Sequence, residues 1–239
     1  MIFPFLQGMP GEPLPYLFRS DWVITCIFCL FTLVLVLVVS KGKKHLYQQL
    51  NHFFLNRERN SMFDEVATMD VRYRGGLVVH ACLMLGFCVY CYLAHEEPFL
   101  FHQYDSGLLL GFLTVCFMGY VLLKWMVYGF VNWVFFQKDR NKRWIAAFFN
   151  LFIWLGILLL PVVLLMVYFD ISTQIILYIA GILVVFAKIA LFWKCFCNFF
   201  EKFYGALHLI LYFCALEIMP DLILWKGIEM MNNNLILNL

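Results

Sequence analysis

The chain has 239 residues, 64% of them hydrophobic and 13% charged, with a formal net charge of +2 at pH 7. Soluble domains average roughly half apolar and about a quarter charged, so an ordinary soluble fold is excluded. The apolar residues fall into continuous runs of about 20, the length of a helix crossing ~30 Å of hydrocarbon, and such runs exclude the short alternating strands of a β-barrel. The composition defines an all-α, polytopic membrane helix bundle forming a single integral membrane domain over 1–239.

In chain order, the segment to Asp21 holds Pro4, Pro10, Pro13 and Pro15 and is expected to be irregular. It has no basic region followed by a short apolar stretch and a small-residue cleavage site, so no cleavable signal is expected. Six spans are predicted, at about 22–40, 75–94, 107–130, 146–169, 173–193 and 204–225. The third stays apolar to Phe136, which makes about 45 Å of helix and requires tilt or projection beyond the bilayer. Two short amphipathic helices are expected at the inner surface. One has Leu46, Leu50, Phe53 and Phe54 on one face, and the other follows Ser61 and Asp64, which have capping-box-like spacing. The tail, MMNNNLILNL, reads as a frayed end.

Lysine and arginine set the orientation. Lys41, Lys43, Lys44, Arg57, Arg59, Arg72 and Arg74 follow the first span, Lys138, Arg140, Lys142 and Arg143 the third, and Lys194 and Lys202 the fifth. The alternate connections, 95–106 and 170–172, contain neither residue. Positive residues stay cytoplasmic, so both termini are expected on the non-cytoplasmic side. Seven of the nine cysteines (Cys26, Cys29, Cys82, Cys88, Cys91, Cys116 and Cys214) lie inside apolar runs and are expected to be free packing thiols.

The sixth run carries His208, Tyr212, Glu217, Pro220 and Asp221. A carboxylate in mid-membrane costs about 2.5–3.5 kcal/mol on insertion scales, so Glu217 needs an answering group. Pro220 lacks an N–H and would deprive the Leu216 carbonyl of its helical partner. At about 100° per residue, Glu217 and Asp221 share a side while His208 and Tyr212 fall nearly opposite. Asp221 is expected at the outer interface. Glu217 is read either as a structural carboxyl, protonated or bonded to backbone, or as a carrier of a proton, ion or substrate.

In the third span Tyr120, Lys124, Tyr128 and Asn132 recur every four residues and form a polar stripe. Lys124 is expected to snorkel to the cytoplasmic headgroups, an interior charge pair being the alternative, and Lys188 in the fifth span is expected to snorkel too. Asn150 and Pro161 mark the fourth span, where Pro161 predicts a second broken helix. Two interrupted spans point to a transporter-like centre and are equally explained as kinks that let helices pack. The acids and histidines of loop 95–106 have no metal-ligand spacing, and no hydrolase, phosphate-loop, zinc or dinucleotide motif occurs. No cofactor or metal is expected, and the basic residues lack the aromatic interleaving of a nucleic-acid surface.

Two segments resemble a known family. FFNLFIWLGILLLPVVLL, with Asn150, Leu155, Gly156, Ile157, Leu160 and Pro161, and LYFCALEIMP, with Leu211, Tyr212, Cys214, Ala215, Leu216, Glu217, Ile218 and Pro220, followed by Lys226, are similar to the family called domain of unknown function 4271. The resemblance implies a multi-pass inner-membrane protein of Bacteroidota and no assigned activity. Asp221 departs from it, since an apolar residue is expected there.

Three function classes follow. The leading expectation is a non-catalytic structural or assembly partner of a cell-envelope complex, with the lipid bilayer and a membrane or envelope protein as partners. The alternative is a small transporter or ion- or proton-coupled protein centred on Glu217. A membrane-embedded enzyme comes third, because only His208 and Glu217 offer acid–base chemistry and helical spacing sets them on opposite faces.

Overall fold

The computed structural model describes residues 21–55, 71–96, 105–135, 138–169, 172–199 and 211–237. These residues form helices α1 (Trp22–Leu55), α2 (Val71–Glu96), α3 (Ser106–Phe135), α4 (Lys138–Tyr168) and α5 (Thr173–Phe199), then a π-helical turn (Cys214–Ile218) that runs into α6 (Met219–Leu237). There is no strand among the described residues. Among the described residues, five segments are long and apolar enough to cross a membrane: Trp22–Ser40, Tyr73–His95, Ser106–Val134, Arg140–Tyr168 and Thr173–Phe196. The sixth run is described only from Leu211 onward, so His208 lies outside the described residues.

Local chemistry sets the helix start at Asp21. Its carboxylate accepts the Val23 N–H at 3.0 Å, satisfying one of the unpaired amides of the first turn. Residues 45–55, expected as a separate surface helix, continue α1 without a break. The expected helix after Ser61 lies outside the described residues. The tail also differs from expectation, because α6 runs on to Leu237. Extending an existing helix costs far less than starting one, so the asparagine run follows the apolar turns before it.

The bundle is organised around α2, which packs along both α3 and α4, while α4 packs along α5. Small residues permit these close approaches. A Cβ added at Gly156 of α4 would lie 2.5 Å from the Ala81 Cβ of α2, and one at Gly86 of α2 would lie 3.3 Å from the Thr114 hydroxyl of α3. Membrane helices associate through such contacts because lipid tails are as apolar as leucine. For the same reason the exterior carries large apolar side chains, among them Leu108, Val115, Tyr178, Phe186 and Ile223.

The break expected at Pro161 is absent, and α4 continues through it to Tyr168. Pro161 is exposed on the bundle exterior while Val162 and Val163 are buried. Neighbouring turns of a membrane helix can absorb one missing backbone bond. Of the two spans expected to be interrupted, only the last departs from α geometry. Cys195 and all seven cysteines of the apolar runs are free thiols.

Candidate functional site

The polar stripe of α3 faces inward. Lys124, Tyr128 and Asn132 are buried, with Lys124 only 2% exposed. Its ammonium does not snorkel; it reaches across to Glu217 Oε2 at 2.5 Å. The ammonium of Lys188, from α5, meets the same oxygen at 2.5 Å. Asp221 joins them, with Oδ2 at 2.7 Å from Lys188 Nζ and Oδ1 at 3.3 Å from Lys124 Nζ. The Tyr120 hydroxyl donates to Asp221 Oδ1, and the Tyr120 ring centroid lies 5.2 Å from the Lys124 ammonium.

Three sequence expectations are therefore corrected. Neither Lys124 nor Lys188 snorkels, and Asp221 is a member of an ion cluster instead of an isolated interfacial acid. The physical reason is common to all three. Lys124 lies close to the midpoint of α3, where an unpaired charge would be costly, and two lysines with two carboxylates cancel to zero formal charge. Asp221 supplies the second negative charge of that balance.

The site is unequal in two ways. Lys124 and Glu217 are 2% and 1% exposed, whereas Lys188 and Asp221 are 30% and 38% exposed. The two oxygens of Glu217 also differ: Oε2 carries both ammonium contacts, while Oε1 is buried with no hydrogen-bond partner. Phe213, Leu216, Leu191, Phe117 and Val121 belong to the surrounding apolar packing.

Glu217 reaches this position through the π-turn. Residues five apart in a regular helix point about 140° away from each other, so Tyr212 was expected opposite Glu217. In the structure both turn toward α3, where the Tyr212 hydroxyl donates to Asn132 Oδ1 at 2.8 Å. Asn132 Nδ2 in turn donates to Asn141 Oδ1 of α4 at 3.0 Å. Bonds from i+5 to i, such as Met219 N–H to Cys214 O, widen the turn and bring positions five apart onto one side. Pro220 comes next and cannot donate, so the regular ladder gives way immediately before it.

The remaining candidates stand apart. Asn150 Oδ1 is buried without a hydrogen-bond partner, and neither it nor Pro161 joins the cluster. Lys188, Asp221, Tyr120 and Asn132 were visible in the sequence as polar residues in apolar runs, but their grouping was not. Asn141 carried no signal, being one polar residue in a charged helix start. His80, also passed over, is 1% exposed with neither ring nitrogen bonded. No group of three or more His, Cys, Asp or Glu side chains that could hold a metal ion occurs among the described residues.

Fold and site together define a helical membrane protein with an ion cluster buried between its helices. The chain belongs to the family described as "Domain of unknown function (DUF4271)", whose profile matches residues 23–228. Neither a curated protein nor a solved structure matches it.

Proposed function

We propose that the protein is an ion-coupled membrane protein whose working centre is the cluster of Lys124, Lys188, Glu217 and Asp221. The observation that carries this reading is the convergence of two ammonium groups on one oxygen of a buried carboxylate. A purely structural core does not need such a group, since replacing buried ion pairs by apolar side chains is often neutral or stabilising. Ionisable residues inside a membrane are rare and commonly mark ion or proton pathways, and π-turns within helices are frequent at functional sites. Exposure rises from Glu217 to Lys188 and Asp221, so one side of the cluster reaches the surface of the bundle. The lysine and arginine distribution supports an orientation with both termini non-cytoplasmic, and the family resemblance supports a bacterial inner-membrane location and an origin in Bacteroidota.

A second reading, an assembly partner in a cell-envelope complex, is favoured by one observation. Lys188 and Asp221 open toward the exterior of the bundle beside exposed Val185, Ile189, Leu222 and Trp225, a surface that a partner helix would cover.

The test is Glu217→Gln in a strain lacking the native gene. The ion-coupled reading expects the variant to accumulate at wild-type level and yet behave like the deletion in growth. Normal growth would contradict it and favour the assembly reading. Purification from native membrane with a stoichiometric partner would add support for the latter.

A further inference from the structure

We infer that the ion bound at this site is a proton and that Glu217 is the group that takes it, an inference that rests on the ion-coupled reading above. The argument starts from which oxygens are free. Glu217 Oε2 is held by Lys124 and Lys188, Asp221 Oδ1 by Tyr120 and Lys124, and Asp221 Oδ2 by Lys188. That leaves Glu217 Oε1, buried and without a partner, as the one uncommitted carboxylate oxygen of the cluster. A calcium ion takes six to eight oxygen ligands and magnesium about six in octahedral array, and one oxygen does not make such a shell. Two ammonium groups beside Oε2 also repel any further metal cation. A proton needs a single oxygen.

The chemistry balances without a cofactor. The charged and titratable groups facing Glu217 are Lys124 and Tyr120 from α3, Lys188 from α5 and Asp221 from α6. Of the two lysines on Glu217, Lys188 is the exposed one. In the transfer, a Lys188 N–H bond breaks with its electron pair remaining on nitrogen, and an O–H bond forms on the Glu217 carboxylate. The amine then takes a proton from a hydronium ion at its exposed side, leaving water. The net change is one proton on Glu217 and a cluster charge moving from zero to +1. The proton comes to rest on Oε1, because on Oε2 it would sit between two ammonium groups. The terminal carboxyl torsion is broad enough to allow that turn.

Loading has a structural consequence. Hydrogen bonds to an ionised acceptor are roughly twice as strong as neutral ones. Neutralising Glu217 therefore weakens the ties that hold the π-turn against α3 and α5, leaving Asp221 as the only charged anchor. Proton occupancy is thereby coupled to the freedom of the last helix.

The test uses full-length protein in lipid nanodiscs and infrared difference spectra recorded during a pH titration. The expected result is a protonated-carboxyl C=O band that grows as pH falls and is missing in Glu217→Gln. At fixed pH, adding sodium, potassium or calcium chloride should leave it unchanged. Lys188→Met, which keeps Glu217, should make the band appear more slowly after a pH drop, and it keeps the proposal testable if the glutamine variant fails to accumulate. A Glu217-dependent band that responds to added cation instead of pH would overturn the proton while leaving the ion-coupled reading intact. The absence of any Glu217-dependent band would overturn the inference, and normal growth of Glu217→Gln would remove the reading beneath it.

Discussion

Lys124 of α3 and Lys188 of α5 bring their ammonium groups to the same oxygen of Glu217, each at 2.5 Å. Three stretches of chain are thus tied at one atom, and breaking any one tie leaves the others uncompensated. Removing one partner of a buried pair costs about 3–5 kcal/mol, whereas replacing both by apolar residues is often neutral. Lys124→Met and Glu217→Leu should each lower thermal stability in detergent. The double variant should lose less than the sum of the two, with a coupling of about 0.5–3 kcal/mol. Additive losses in a fluorescence-monitored melt would show that the pair does not interact.

The crossing of α2 and α4 gives a prediction independent of charge. A Cβ at Gly156 would lie 2.5 Å from Ala81 Cβ and 2.6 Å from Ala81 Cα, so Gly156→Ala must push the helices apart. Overpacking of this kind costs about 1–3 kcal/mol. Ala81→Gly in the same chain should restore only a small part of the loss, because the Ala81 Cα would still lie 2.6 Å from the new Cβ. An unaffected melting temperature in Gly156→Ala would mean that the two helices do not approach so closely.

How much of this was legible in the sequence follows from the range over which each feature is decided. The helical membrane class rests on run length and composition, both properties of neighbouring residues. The inward stripe of α3 was readable because Tyr120, Lys124, Tyr128 and Asn132 repeat every four residues. Lys124 was nevertheless expected to snorkel, because its partner Glu217 is 93 positions away and no local pattern encodes that approach. Pro220 announced a disturbed helix. It did not reveal that the disturbance would be a widened turn rotating Glu217 and Tyr212 onto one side, and the regular periodicity assumed for that run set them apart. Pro161 shows the converse, since the same residue type in α4 leaves the helix continuous.

Orientation rests on charge distribution alone and has its own check. With the native cysteines replaced, single cysteines in 95–106 and 170–172 should react with a membrane-impermeant maleimide added to intact spheroplasts. Cysteines placed in 41–74 should react only after permeabilisation. Labelling of 95–106 from the cytoplasmic side alone would reverse the topology.

The central claim, that one carboxylate inside the bundle holds two lysines, is tested most directly by solid-state NMR on the protein in lipid. With 15N at lysine Nζ and 13C at the glutamate side-chain carboxyl, dipolar dephasing reports short nitrogen–carbon distances. The account predicts two lysine signals coupled to the Glu217 carboxyl, one removed by Lys124→Met and the other by Lys188→Met, and both lost in Glu217→Gln. The exposed Lys226–Glu229 pair should be untouched by all three changes. Uncoupled Lys124 and Lys188 nitrogens with the mobility of headgroup-bound side chains would contradict it.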